Sequence, residues 1–83
     1  MDQKKIGAFI AQCRKEKSLT QIQLAELLDI TNQAVSKWEN GRGMPDVSLL
    51  QPLCDAFGIS LNELFSGEHI SAEEYKGKAE ENI

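Results

Sequence analysis

The stretch TQIQLAELLDITNQAVSKWENG, residues 20–41, decides the fold of this chain. Its apolar residues recur at helical spacing in two segments of roughly eight residues, with a three- to four-residue turn between them. Thr20-x-x-Gln23 is a capping-box pattern that opens the first segment, and Thr31 is placed to cap the second. Asn40-Gly41 ends the second segment, because glycine readily adopts the left-handed conformation past a helix C-terminus. The stretch therefore predicts a pair of short helices.

Each helix of this pair has an apolar side and a polar side. We expect the apolar sides to form core, through Leu24, Ala25, Leu27, Leu28, Ile30, Ala34, Val35 and Trp38. Ala25 is small enough to let the two helices cross closely, and the spacing is that of a helix-turn-helix unit. The outward face of the second helix consists of Asn32, Gln33, Ser36, Lys37 and Asn40. None of these is acidic, although the chain has 13 acidic residues, so this face favours a polyanionic partner.

Three further helices are predicted on either side of the pair. The repeat Ile6, Phe9, Ile10, Cys13 indicates a first helix over roughly residues 3–17. Asp46 is a good N-cap for a fourth helix that continues to Phe57, in which Pro52 predicts a kink or an irregular first turn. A second capping box, Ser60-x-x-Glu63, opens a short fifth helix with the apolar residues Leu61, Leu64 and Phe65.

The predicted fold is all-α, a compact five-helix bundle, since no stretch alternates between apolar and polar residues as a strand does. We assign residues 1–66 to this domain and residues 67–83 to a polar, acidic tail or linker. The net charge of −4 comes mostly from that tail, which has five acidic and two basic residues, against eight and seven in residues 1–66. Phosphate binding would therefore depend on a local patch rather than on the overall field.

Several classes of protein are excluded by what the sequence lacks. No apolar run approaches the ~20 residues of a membrane span, and the start does not read as a signal peptide. Cys13 and Cys54 have only His69 beside them, so no four-ligand zinc site is predicted, and we expect both thiols in the core of a cytoplasmic protein. The chain has no nucleophile with paired carboxylates, no glycine-rich phosphate loop and no metal set, so neither an enzyme nor a cofactor is predicted.

At residues 20–65 the sequence resembles the phage repressor/Cro type of helix-turn-helix domain found in bacterial and phage transcription regulators. The resemblance extends over residues 4–66 and includes the motifs LTQ, AVSKWENG, PD and LNELF. Asp29 stands in the turn where the family usually has glycine, and aspartate tolerates the left-handed conformation better than most residues. The resemblance implies a lambda-repressor-like bundle that binds double-stranded DNA as a homodimer, most often to repress transcription.

The resemblance also implies roles for individual residues. The third helix would enter the major groove, where Gln33 would read adenine and Asn32 and Lys37 would contact neighbouring groups. Gln21 would contact phosphate at a helix N-terminus. Further phosphate candidates are Thr31, Ser36, Asn40 and Arg42. Arg14 and Glu39 would form a structural ion pair, and His69 has no expected role.

Simpler interpretations stay open at these positions. Gln33 and Lys37 fit ordinary exposed helix residues, Gln21 and Thr31 fit a helix start and a cap, and Arg42 fits a solvated loop. As a whole, the chain also fits a protein-interaction module that keeps the fold without binding DNA. For the homodimer, the fifth helix is the expected interface, through Ile59, Leu61, Leu64 and Phe65. The polar end of the sequence suggests that a longer protein continues beyond Ile83.

Overall fold

The computed structural model describes residues 2–70, which form five helices and contain no strand, as predicted. The helices are α1 (Gln3–Glu16), α2 (Gln21–Leu28), α3 (Asn32–Glu39), α4 (Val47–Phe57) and α5 (Leu61–Ser66). Among the described residues, no helix is both long enough and apolar enough to cross a membrane. The predicted properties of the tail beyond Ile70 lie outside the described residues.

The helices begin and end at the signals that the sequence contains. Thr20 and Ser60 each form a complete capping box, and the side chain of Thr31 accepts a hydrogen bond from the backbone N–H of Ala34 at 3.2 Å. Asp29 ends α2 in the left-handed conformation, with φ of 56°, in the turn that leads to α3. These local hydrogen bonds satisfy backbone groups that a helix end leaves without partners. They fix the short connection between α2 and α3.

Pro52 lies inside α4, which continues through it to Phe57. The proline ring has no N–H to donate to the carbonyl of Ser48. The irregularity that the sequence predicts lies in the first turn, where the N–H of Leu49 donates to the carbonyl of Asp46, only three residues earlier, at 2.8 Å. This tight first turn leaves the rest of α4 free to pack its buried side chains, Leu53, Cys54 and Phe57, into the core.

The core lies between α1 and the other four helices, and its buried apolar side chains come from all five. They are Ile6, Phe9, Ile10, Cys13, Leu24, Ala25, Leu28, Val35, Trp38, Leu53, Cys54, Phe57 and Leu64. The placement of Leu27 in the core was wrong, since its side chain is 63% exposed. An eight-residue helix buries only one stripe, and Leu24, Ala25 and Leu28 occupy it, so Leu27 lies beside Gln23 and Glu26 at the surface.

Gly7 sets the distance between α1 and α3. A Cβ atom at this position would lie 2.1 Å from the carbonyl oxygen of Trp38 and 3.3 Å from that of Glu39. Any other residue would therefore collide with the backbone at the end of α3. This close approach anchors α3 on α1 at its C-terminal end, while α2 packs along its other side.

Candidate nucleic-acid interface

Helix α3 has one side in the core and one side in solvent. Val35 and Trp38 are buried, and Ala34 packs against the core at its edge. The opposite side exposes Asn32, Gln33 and Lys37. Because the buried residues recur at i and i+3, the rotation of α3 about its own axis is fixed by packing. The polar side chains therefore point outward in a defined direction.

Six of the eight residues that the sequence predicts for DNA contact line one open concave surface of about 480 Å³. We call this surface the α3 face; its polar lining consists of Thr31, Gln33, Ser36, Lys37, Asn40 and Arg42. Asn32 is exposed on α3 but does not line the concavity, and Gln21 lies on α2. The structure thus brings together residues from the cap of α3, from the helix itself and from the loop that follows it.

The polar side chains of the α3 face differ in how they are engaged. Gln33, Lys37 and Arg42 are exposed and make no hydrogen bond or ion pair with other residues in the described part of the chain. Asn40 folds back on its own helix, where its Nδ2 donates to the carbonyl oxygen of Ser36 at 2.8 Å. The first three are therefore available to an external partner, whereas Asn40 would have to exchange an existing hydrogen bond.

The only acidic residue of α3, Glu39, is neutralised away from this face. Arg14 donates to both of its carboxylate oxygens, from Nε at 2.7 Å and from Nη2 at 3.0 Å. The two side chains are 11% and 7% exposed, so this is the ion pair that the resemblance implies, in a largely buried setting. The hydrogen bonds to Glu39 raise the pKa of Arg14 above its ordinary value. What remains on the α3 face is the positive charge of Lys37 and Arg42.

Gln21 has a partner that the sequence did not reveal. Its Nε2 donates to Oε1 of Glu39 at 3.0 Å, so it joins the ion pair of Arg14 and Glu39. The start of α2 is thereby tied to the end of α3 and, through Arg14, to α1. Nη1 of Arg14 also donates to the carbonyl oxygen of Leu19 at 2.7 Å, just before α2 begins. Neither bond has a local sequence signal, because the partners come together only when the helices pack.

The loop after α3 is held by α1. Gln3 donates from Nε2 to the carbonyl oxygen of Gly41 at 2.8 Å, and the backbone N–H of Arg42 donates to the carbonyl of Lys37 at 2.9 Å. Gly41 has a φ of 70°, and the stem of Lys4 lies against it. Lys4, exposed at the start of α1, is therefore a third cation close to this loop, which sequence reasoning missed.

The prediction that His69 has no role was wrong. Its Nε2 lies 2.8 Å from Oε1 of Glu16, and its Nδ1 lies 3.3 Å from Oε2 of Glu63. The imidazole also meets the ring of Phe9 edge-on, with 5.0 Å between centroids. The hydrogen bond to Glu16 raises the pKa of His69, and the same bond lowers that of Glu16. Residues 67–70 thus lie against α1 and α5, although the sequence assigned them to the tail.

Near His69 the structure also places Cys13, whose sulfur is close to the carboxylate of Glu16. The ligand atoms of Cys13, Glu16 and His69 all lie within 4.8 Å of one another. Burial raises the pKa of the Cys13 thiol to about 12, so it is protonated at neutral pH. The sequence-based prediction of no metal site considered cysteine and histidine alone and did not include Glu16. This group lies on the opposite end of α1 from the α3 loop and is separate from the α3 face.

Comparison with known proteins agrees with this geometry. Residues 10–64 match the family described as "Helix-turn-helix". The transcriptional activator BcrR of Enterococcus faecalis is 43% identical over 61 residues, which cover 74% of this chain and 30% of BcrR. The immunity repressor protein of Bacillus phage phi105 is 33% identical over 81 residues, covering 94% of this chain and 56% of that repressor. The chain therefore spans about a third to three fifths of the length of these relatives.

A solved structure has the same fold. The clp gene regulator ClgR from C. glutamicum superimposes with a TM-score of 0.71 at 27% sequence identity, covering 81% of this chain and 86% of that one. The match of the family model to residues 10–64 takes in α2, the turn at Asp29 and α3, which together carry the α3 face. This chain belongs to the helix-turn-helix family.

Proposed function

We propose that this chain binds double-stranded DNA in a sequence-specific manner and regulates transcription. The observation that carries the proposal is the α3 face, where exposed and unpartnered Gln33, Lys37 and Arg42 surround a concavity free of acidic side chains. A helix with this outward face fits the major groove, in which base edges present hydrogen-bonding groups in a distinct pattern for each base pair. The rigid attachment of α3 to α1 and α2 fixes the register of such a contact.

In this proposal the residues divide into base readers and phosphate contacts. Gln33 reads adenine through both groups of its amide, with Asn32 beside it, and Lys37 reaches guanine or a phosphate. Phosphate contacts, which position the protein without reading sequence, come from Gln21, Thr31, Ser36, Asn40 and Arg42. The backbone N–H groups at the start of α2, together with the positive end of its dipole, support the place of Gln21 in this group.

We further propose that the chain acts as a repressor. The relatives carry names of both kinds, an activator and an immunity repressor, and the repressor is similar along 94% of this chain. Repression requires only that an occupied site excludes polymerase, which binding alone achieves. The place of action is the cytoplasm, where the DNA is, with residues 1–66 as the DNA-binding domain and 67–83 as a connecting tail. No catalytic role is proposed.

We propose that two chains bind together, because one helix reads too few base pairs to select a site. A two-fold pair places two α3 helices in successive major grooves ~34 Å apart. The predicted interface on α5 must be corrected at Leu64, which is fully buried and cannot reach a partner. Leu61 is 39% exposed, and Ile59 and Phe65 are half-buried, so these three form the remaining apolar patch. A patch this small predicts a weak dimer that pairs fully on DNA.

Selection of bound duplexes from a random pool is the experiment that tests the proposal. We expect an inverted repeat with half-sites about one helical turn apart, and two chains per duplex in sedimentation. The double variant Gln33→Ala, Lys37→Ala should lose the selected duplex and keep its melting temperature, because both side chains are exposed and unpartnered. If no sequence is enriched and duplexes bind neither tightly nor selectively, the alternative of a protein-interaction module replaces DNA binding. One chain on a single half-site would contradict the dimer only.

A further inference from the structure

The end of α1 that lies farther from the α3 loop carries a group of three different metal-ligand side chains. Cys13 and Glu16 are three residues apart in α1 and therefore on one side of it, and His69 comes from the segment after α5. Their ligand atoms lie within 4.8 Å of one another, and Nε2 of His69 is 2.8 Å from Oε1 of Glu16. The three residues meet only in the folded chain, since 53 positions separate Glu16 from His69.

We propose that Cys13, Glu16 and His69 bind a divalent transition-metal ion of the zinc class, with Glu63 orienting the imidazole. Sulfur, oxygen and nitrogen are together the ligand set that Zn²⁺ accepts, at distances of about 2.0–2.3 Å. Ca²⁺ and Mg²⁺ are disfavoured, because they prefer oxygen ligands throughout. Among first-row ions, Co²⁺, Ni²⁺ and Cu²⁺ would also bind such a site.

The surroundings of His69 are those of a ligand held in place by an outer carboxylate. Its Nδ1 faces Oε2 of Glu63 at 3.3 Å, which leaves Nε2 directed at Glu16. Glu63 is itself fixed, since its carboxylate accepts from the backbone N–H of Ser60 at 3.0 Å and of Ile70 at 3.1 Å. Metal-binding histidines regularly donate their other ring nitrogen to a carboxylate in this way. The edge-on contact with Phe9 further limits rotation of the ring.

The burial of the three ligands gives the site a floor and an opening. Cys13 is buried at the base, and Glu16 and His69 are exposed, so an ion arrives from solvent and has a fourth position for water. Binding replaces the hydrogen bond between His69 and Glu16 with two bonds to the ion, and it releases the thiol proton of Cys13. The bound ion would join α1 to residues 67–70 and so fix the direction in which the chain continues.

Titration of the full 83-residue chain with Co²⁺ under reducing conditions tests the site. We expect one Co²⁺ per chain, a sulfur-to-cobalt charge-transfer band in the near ultraviolet, and displacement by Zn²⁺ but not by Mg²⁺. His69→Gln should weaken binding at least ~10-fold and Glu63→Gln ~10–100-fold, the range typical of outer-shell changes. Cys13→Ala should abolish the band, whereas Cys54→Ala, which removes a buried thiol outside the group, should keep it.

The result that overturns the proposal is the absence of the charge-transfer band, or Co²⁺ binding of equal strength in His69→Gln. Cys13 belongs to the core, so its replacement may be tested only where circular dichroism shows a folded chain; His69 is exposed, and its variant decides the matter in any case. Zn²⁺ should also raise the melting temperature of the parent chain and not that of His69→Gln, since an ion that binds only the folded state stabilises it. An equal rise in both would also overturn the site.

Discussion

The two sides of α3 contrast in how tightly their side chains are held. Towards α1 and α2, Gly7 allows backbone contact at Trp38, and Glu39 accepts hydrogen bonds from Arg14 and Gln21. On the α3 face, Gln33 and Lys37 have no partner among the described residues. The difference separates stability from recognition within one eight-residue helix. The inner side fixes where the helix lies, and the outer side is left to meet a ligand.

This division has an energetic consequence for binding. A helix that is already fixed in position loses little conformational freedom when it docks, so less of the contact energy is spent on ordering it. The exposed side chains still have to be ordered, at about 0.5–1.5 kcal/mol for each long one. Changes on the inner side should therefore lower the free energy of unfolding, and changes on the outer side should lower affinity at unchanged stability.

The largest effect is expected for Gly7→Ala, which breaks the inner side. Its Cβ would lie 2.1 Å from the carbonyl oxygen of Trp38, and a backbone atom cannot move aside without separating α1 from α3. We expect a loss of about 4 kcal/mol or more, a large part of the stability of a domain this size, measured by chemical denaturation. Gly43→Ala is the matched control, because its Cβ would meet only the stem of Lys37, at 3.7 Å. Equal stability of the two variants would contradict this account.

Arg14→Met should have the next largest effect. It leaves the carboxylate of Glu39 buried with only Gln21 as a partner, which costs about 3 kcal/mol for a pair buried this deeply. Thermal melting should show the loss, while the affinity of the folded fraction for DNA should change less. Lys5→Met, which removes the exposed pair of Lys5 and Glu68, is the control and should cost under about 1 kcal/mol. An unchanged melting temperature in Arg14→Met would show that the pair does not stabilise the fold.

On the outer side, Gln33→Ala should weaken binding to the selected duplex by about 1–3 kcal/mol and relax preference at one or two base pairs. Affinity for unrelated duplexes and the melting temperature should stay the same. Gln51→Ala, an exposed glutamine on α4, serves as the control and should change neither. Equal loss on every duplex would instead make Gln33 a phosphate contact, and this comparison would have to be redrawn.

The inner and outer sides also differ in how far the sequence predicts them. Helix ends, capping boxes and the left-handed turn at Asp29 are local, so they can be predicted from a few neighbouring residues, and the end of α1 differs by one residue from the prediction. The exposed residues of α3 follow from its apolar periodicity. The bonds of Gln21 to Glu39 and of His69 to Glu16 join distant segments and have no local signal. Gly7 did have one, because an isolated glycine in an apolar helical pattern indicates close packing.

Gln21 lies between the two sides, and its variant sharpens the comparison. Gln21→Ala removes one hydrogen bond to Glu39 as well as the proposed phosphate contact. We expect about 0.5–1.5 kcal/mol lost on every duplex alike, since phosphate contacts do not read sequence. Because glutamine is neutral, the salt dependence of binding should stay the same, whereas Lys37→Ala should reduce its slope by about one. A change in the preferred sequence of Gln21→Ala would contradict the assignment.

The smallest effect is expected at Asp46, which caps α4 directly after the loop from α3. Its carboxylate accepts hydrogen bonds from the hydroxyl and the backbone N–H of Ser48, and these lower the pKa of Asp46 below its ordinary value. A carboxylate with a lowered pKa in the folded state stabilises that state above its unfolded pKa, and this stabilisation is lost as the pH falls through the folded value. Asp46→Ala should therefore melt at a lower temperature than the parent at pH 7, and the difference should shrink once the pH falls below about 4. Asp46→Asn keeps a capping oxygen without the charge, so it should melt close to the parent at pH 7 and show less dependence on acid. A difference between Asp46→Ala and the parent that is the same at pH 7 and in acid would show that the charge of Asp46 does not contribute to the cap.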